Sequence, residues 1–170
     1  MKKWNKPLLI ALTVLTGLLL LGLTIGFIQT NDSRGRESAG QKNSSAETFS
    51  ADKIHLLVNE VRTRNGGASL VRDKKLDDSA RAKCYDMLDR GYYEHNTPEG
   101  KTPSSFVKNY NYTAFGENLN GYDTQNPSSQ AVVDSWADSA DHFKNIVRSN
   151  FNRTGIAICG DMVVQHFAQQ

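Results

Sequence analysis

Residues 154–167 read TGIAICGDMVVQHF, two apolar and β-branched runs on either side of Gly160-Asp161. A Gly-Asp pair between such runs is a tight-hairpin signal, because glycine supplies the backbone twist that a two-residue turn needs. The C-terminus is therefore read as a β-hairpin. His166 and Gln165 alternate within the second run, so only one of them is expected to face a core, and His166 is read as a sheet-surface histidine.

Upstream of the hairpin the period changes. In ADKIHLLVNEVRTRNGG (51–67), Ile54, Leu57, Val58 and Val61 recur at helical spacing, with Gly66-Gly67 as the stop. His55 falls with Asn59 and Arg62 on the polar side of this helix and is read as solvated. A second helix is expected from Asp73 to Arg90, with Leu76, Ala80, Cys84, Met87 and Leu88 as its apolar stripe and Gly91 after its end. The loop YYEHNTPEGKTP (92–103) and a short helical piece over 105–110 lead into YNYTAFGEN (110–118), which has strand composition. SSQAVVDSWADS (128–139) opens a third helix on a serine cap. Few strands, with helices before and between them and no internal repeat, point to a layered α+β domain over residues 51–170.

The N-terminus has another character. Residues 7–28 (PLLIALTVLTGLLLLGLTIGFI) carry no charge and follow Lys2, Lys3 and Lys6. A bilayer core needs about 20 apolar residues of helix, whereas a cleavable signal has an apolar region of roughly 7 to 15, so the run is long enough to span. The reading is a cytoplasmic tail at 1–6, a transmembrane signal-anchor at 7–28 and a C-terminal domain outside the cell membrane. Cleavage near Thr24-Ile25-Gly26, giving a secreted protein, is the alternative. Residues 29–50, polar almost throughout, cannot bury enough apolar surface to offset their ordering entropy and are read as a disordered linker.

The chain as a whole has 20 Lys and Arg against 18 Asp and Glu, and nothing in that balance suggests a nucleic-acid partner. Cys84 and Cys159 are the two cysteines. An exported domain permits a disulfide between them, while each also sits in an apolar context that suits a buried thiol.

The side chains able to do chemistry are Cys84, Glu94, His95, Glu117, Ser139, His142 and His166. On a continuous helix, Trp136, Ser139 and His142 would lie near one face, as a nucleophile with a base or a capping cluster would require. Two histidines and a glutamate are also a donor set for zinc or another divalent metal with water at an open position, although their spacing matches no short metal motif.

The order of the pieces says more than any one of them. LLVNEVR, LDDSARAKCYDM, EHNTPEGKTP, GENL, VVDSWADSADHFKNI, FNRTGIAIC and VVQHF follow one another at short intervals across residues 51–170. In that order they resemble the bacterial branch of the CAP superfamily, the cysteine-rich secretory, antigen 5 and pathogenesis-related 1 proteins with an SCP-like extracellular domain. The resemblance implies a three-layer α-β-α sandwich with a cleft holding two histidines and, in many members, two acids. Carried over, these are His95, Glu117 and His142, with Glu117 orienting the imidazoles and His95 and His142 as metal-ligand candidates. Ser139 stands where animal members have a second glutamate, which removes one negative ligand. Ala140-Asp141 replaces the proline-glycine common before the second histidine, so the helix is expected to run on, with Asp141 either supplying the missing charge or facing solvent.

Three functions follow from the resemblance. The first is a membrane-tethered module whose cleft binds an extracellular lipid, peptide or cell-wall ligand, with no cofactor required. The second is a hydrolase with His95 or His142 as general base and Glu117 as its orienter. The third is an adhesive module that does not use the cleft.

Overall fold

The protein is described from a computed structural model, over residues 49–107 and 110–170. The expected anchor and nearly all of the linker lie outside these residues. Among the described residues no helix is long and apolar enough to cross a membrane. Phe49 and Ser50, expected in the linker, belong to the domain: the Ser50 side chain caps the first helix, its amide donates to Ser129 Oγ at 3.2 Å, and the Phe49 ring lies 4.4 Å from that of Tyr122.

The elements in chain order are α1 (Ala51–Arg64), β1 (Val71–Arg72), α2 (Lys74–Arg90), a 3-10 turn (Pro103–Val107), β2 (Ala114–Gly121), α3 (Ser129–Asp138), α4 (Ala140–Val147), β3 (Arg153–Cys159) and β4 (Met162–Gln169). The strands form one sheet in the order β1-β3-β4-β2, with β1 parallel to β3 and the other pairs antiparallel. The expected hairpin is β3-β4, turning at Gly160 with φ of 55°, a left-handed backbone that glycine adopts without penalty. β1 is an element that the sequence reading did not contain.

Strand alternation distributes the core. Ile156, Val163 and Phe167 pack with Ile54, Val58, Val133 and Trp136 beneath α1, α3 and α4, while Ala157, Cys159, Met162 and Val164 pack with Ala80, Cys84 and Met87 of α2 on the other face. Both faces of the sheet are thus covered, giving three layers. A disulfide joins Cys84 of α2 to Cys159 of β3, with the Cα atoms 6.1 Å apart. Beside it the helix touches the sheet backbone: a Cβ on Gly155 would sit 2.1 Å from the Leu76 carbonyl carbon.

The stripe of α1 that carries His55, Asn59 and Arg62 is covered rather than solvated. Arg62 is 1% exposed and donates to the carbonyls of Ala68, Ile146, Arg148 and Phe151, so it ties the C-terminal end of α4 to α1. His55, expected to be solvated, is half-buried with Nε2 2.9 Å from the Leu70 carbonyl. These groups satisfy loop carbonyls that helix and sheet leave unpaired.

Candidate functional site

Glu117 projects from β2, a strand at the end of the sheet, and its Cα partner on β4 is His166. The carboxylate is 2% exposed. Oε1 lies 2.7 Å from His95 Nδ1 and Oε2 lies 3.0 Å from His166 Nε2. Ser79, on α2, places Oγ 2.7 Å from His166 Nδ1. The chemistry of an ionised acid fixes the direction of these bonds, since it can only accept. Both imidazoles donate N–H to Glu117, and Ser79 Oγ lies within hydrogen-bond distance of both His166 Nδ1 and the Leu76 carbonyl, the latter at 3.0 Å. His95 in its neutral form then carries its free lone pair on Nε2, and its side chain is 54% exposed.

Two segments position His95. Lys83, on α2, is fully buried; its ammonium donates to the Glu94 carbonyl at 2.7 Å and to Tyr92 Oη at 3.2 Å, and lies 4.7 Å from the centre of the Tyr92 ring. Tyr92 Oη donates to Asp86, and Arg90 links Asp86 to Glu99. The loop on either side of His95 is therefore held to α2 by charge-assisted bonds. Burial alone would raise the Glu117 carboxyl, but the hydrogen bonds from His166 and His95 and the charge of Lys83 outweigh it and hold Glu117 below its ordinary value. Desolvation lowers Lys83, opposed by the pull of Glu117.

The opposite side of the site comes from α4. Asn145 donates to the Glu117 carbonyl at 3.1 Å and to Asn118 Oδ1 at 2.9 Å, and Asn118 donates to the His142 carbonyl at 3.2 Å. Trp136 Nε1 donates to the Leu119 carbonyl at 2.9 Å. Burial lowers the His142 ring from its ordinary value, and repulsion from His95 adds to it. Its Nδ1 is buried and has no hydrogen-bond partner.

His95 and Glu117 are bonded to each other and His142 is tied to β2 through its backbone carbonyl, while two expectations fail. His166 is not on the sheet surface: it is fully buried and bonded to Glu117, because β4 is a central strand covered by helices on both faces. Trp136, Ser139 and His142 do not share a helix face either. Ser139 is extended, with φ of −95° and ψ of 119°, so α3 ends at Asp138 and α4 begins at Ala140 without a proline-glycine breaker. The Ser139 side chain makes no cap bond to α4, Asp141 is exposed, and Glu94 contributes its carbonyl while its side chain faces solvent. Ser79 and Lys83 were not singled out in the sequence, where they read as ordinary positions of an amphipathic helix.

Glu117 is not free to ligate a metal. Among the described residues no three His, Cys, Asp or Glu side chains form a metal-binding group, and both Glu117 oxygens already accept imidazole N–H bonds.

The α-β-α sandwich agrees with the layered α+β fold expected from the order of the motifs. The sequence model of the cysteine-rich secretory protein (CAP) family matches residues 56–167, and this chain belongs to that family. It is 36% identical over 107 residues to the uncharacterized protein YkwD of Bacillus subtilis strain 168, covering 61% of this chain and 40% of that protein. Among solved structures it is similar to an extracellular protein containing an SCP domain from Bacillus anthracis strain Ames, with a TM-score of 0.65 and 24% identity over 71% of this chain and 40% of that one. An outer surface protein from Borrelia burgdorferi gives a TM-score of 0.63 at 17% identity over 70% of this chain and 91% of that one. The chain thus spans well under half the length of the two Bacillus proteins it matches.

Proposed function

We propose that this chain is an extracellular CAP domain, tethered to the cell membrane by residues 7–28, whose cleft binds a lipid, peptide or cell-wall ligand through a hydrogen bond to His95. One observation carries the reading. Glu117, aligned by its own bond to His166, fixes the His95 tautomer so that an acceptor nitrogen is presented on a half-exposed ring. The complementary ligand group is a hydroxyl or amide N–H.

The same dyad of imidazole and carboxylate could serve as an oriented general base. What favours binding is that Ser79, the serine bonded to an imidazole among the described residues, is 2% exposed and so closed to a substrate. Titrating the full chain in detergent with peptidoglycan fragments, a peptide library and phospholipid vesicles tests the reading. One of the three should bind, and His95→Ala should weaken it at least about tenfold, the weight of one buried hydrogen bond. Turnover abolished by His95→Ala would establish the hydrolase. Binding indifferent to His95→Ala would establish an adhesive surface elsewhere.

A further inference from the structure

His166 makes this cleft unlike a general arrangement of two histidines around an acid. A carboxylate that is to ligate a cation must turn at least one oxygen toward it. Here Oε1 is held by His95 at 2.7 Å, and Oε2 is held from the core side by a ring with no exposed surface, at 3.0 Å. That ring is itself fixed at both ends, by Ser79 at 2.7 Å on Nδ1 and by edge contact with Phe115, whose centroid lies 4.8 Å away. The fully buried ammonium of Lys83 acts on the same carboxylate, so a second cation beside Glu117 would meet a positive charge already in place. Rotating the acid outward would strand a buried imidazole N–H without a partner.

We infer that His166 closes the cleft acid to divalent metals: it takes the oxygen through which Glu117 would ligate a cation, so that Glu117 serves as an anchor between two imidazoles. The inference deepens the proposed reading, resting on the same His95 cleft, and adds how Glu117 is kept from its other chemistry. It assigns His166 and Ser79, on adjacent layers of the core, a role in selecting what the cleft holds.

The test is zinc titration of the full chain, followed by calorimetry and thermal unfolding. Wild type and His166→Gln, whose amide can still donate to Glu117, should show no zinc binding that depends on Glu117. His166→Val removes the donor and frees the acid to turn, so zinc should bind about tenfold or more tightly than to wild type, the equilibrium weight of a hydrogen bond to a carboxylate. That gain should vanish in His166→Val combined with Glu117→Gln. Wild-type zinc binding lost in Glu117→Gln overturns the inference, as does a folded His166→Val no tighter than wild type. Should His166→Val fail to fold, wild type and His166→Gln decide alone: Glu117-dependent binding in either overturns it, and its absence in both supports it. The ligand titration stays separate, since ligand binding indifferent to His95→Ala with the zinc results as expected would sink the functional reading and leave this one standing.

Discussion

Lys83 is an ammonium with no exposed surface, and its task is legible from its partners. By donating to the Glu94 carbonyl it fixes the residue immediately before His95. Replacement with Met keeps the stem packed and leaves that carbonyl without its donor, at a cost of about 1–3 kcal/mol. The expected signature is local: amide hydrogen exchange over 92–97 should accelerate more than exchange in β3 or β4, and uniform acceleration would show Lys83 to be a general core residue. At Glu117 the direction of hydrogen bonding makes a sharper claim. Nitrogen-15 NMR at neutral pH should find His95 as the Nδ1–H tautomer in wild type, and Glu117→Gln, which offers a single acceptor oxygen, should lose that preference. A wild-type ring protonated on Nε2 instead would reverse the orientation drawn for the site.

Among the elements, α2 packs on β3 with backbone against backbone, which is why Gly155 has no alternative. Any side chain there would overlap Leu76 and Asp77, at 2.1 and 2.2 Å from the new carbon, so Gly155→Ala should cost about 3 kcal/mol or more in urea unfolding. A milder loss would mean that α2 can lift from the sheet. The helices, their serine and glycine boundaries and the β3-β4 hairpin were readable because each rests on local period and capping. The order of motifs pointed to His95, Glu117 and His142, of which His95 and Glu117 are bonded to each other. What escaped was set by tertiary cover. His166 alternates in a run that would be half-solvated on a two-layer sheet, and only the second helical layer buries both of its faces. Arg62 falls on the polar side of α1 by period, yet its carbonyl partners come from residues up to 89 positions away. The break at Ser139 has no breaker residue at all, so no local signal could have announced it.

The molecule as a whole depends on two conditions, oxidation and pH. The disulfide spans 75 residues. By loop-closure entropy its removal should cost about 4 kcal/mol. Chemical unfolding of Cys84→Ser with Cys159→Ser would measure this, and an unchanged midpoint would show that packing alone fixes α2 to the hairpin. The pH dependence follows from His166 and His142, both lowered by desolvation from 6.5. Their native forms stay neutral while the unfolded rings take up protons, so stability is fully present above pH 6.5 and falls as the solution is acidified below it. Glu117, itself lowered, adds a further loss below 4.5. Unfolding free energy measured from pH 8 to 4 should therefore decline, and His166→Gln should flatten the upper part of the decline. One further consequence lies in how β2 ends the sheet. The carbonyls of Glu117 and Leu119 are already claimed by Asn145 and Trp136. A neighbouring copy crowding the same surface would have to strip an indole and an amide from these positions before its own chain could add a strand, which protects a densely displayed population from templated fibril growth.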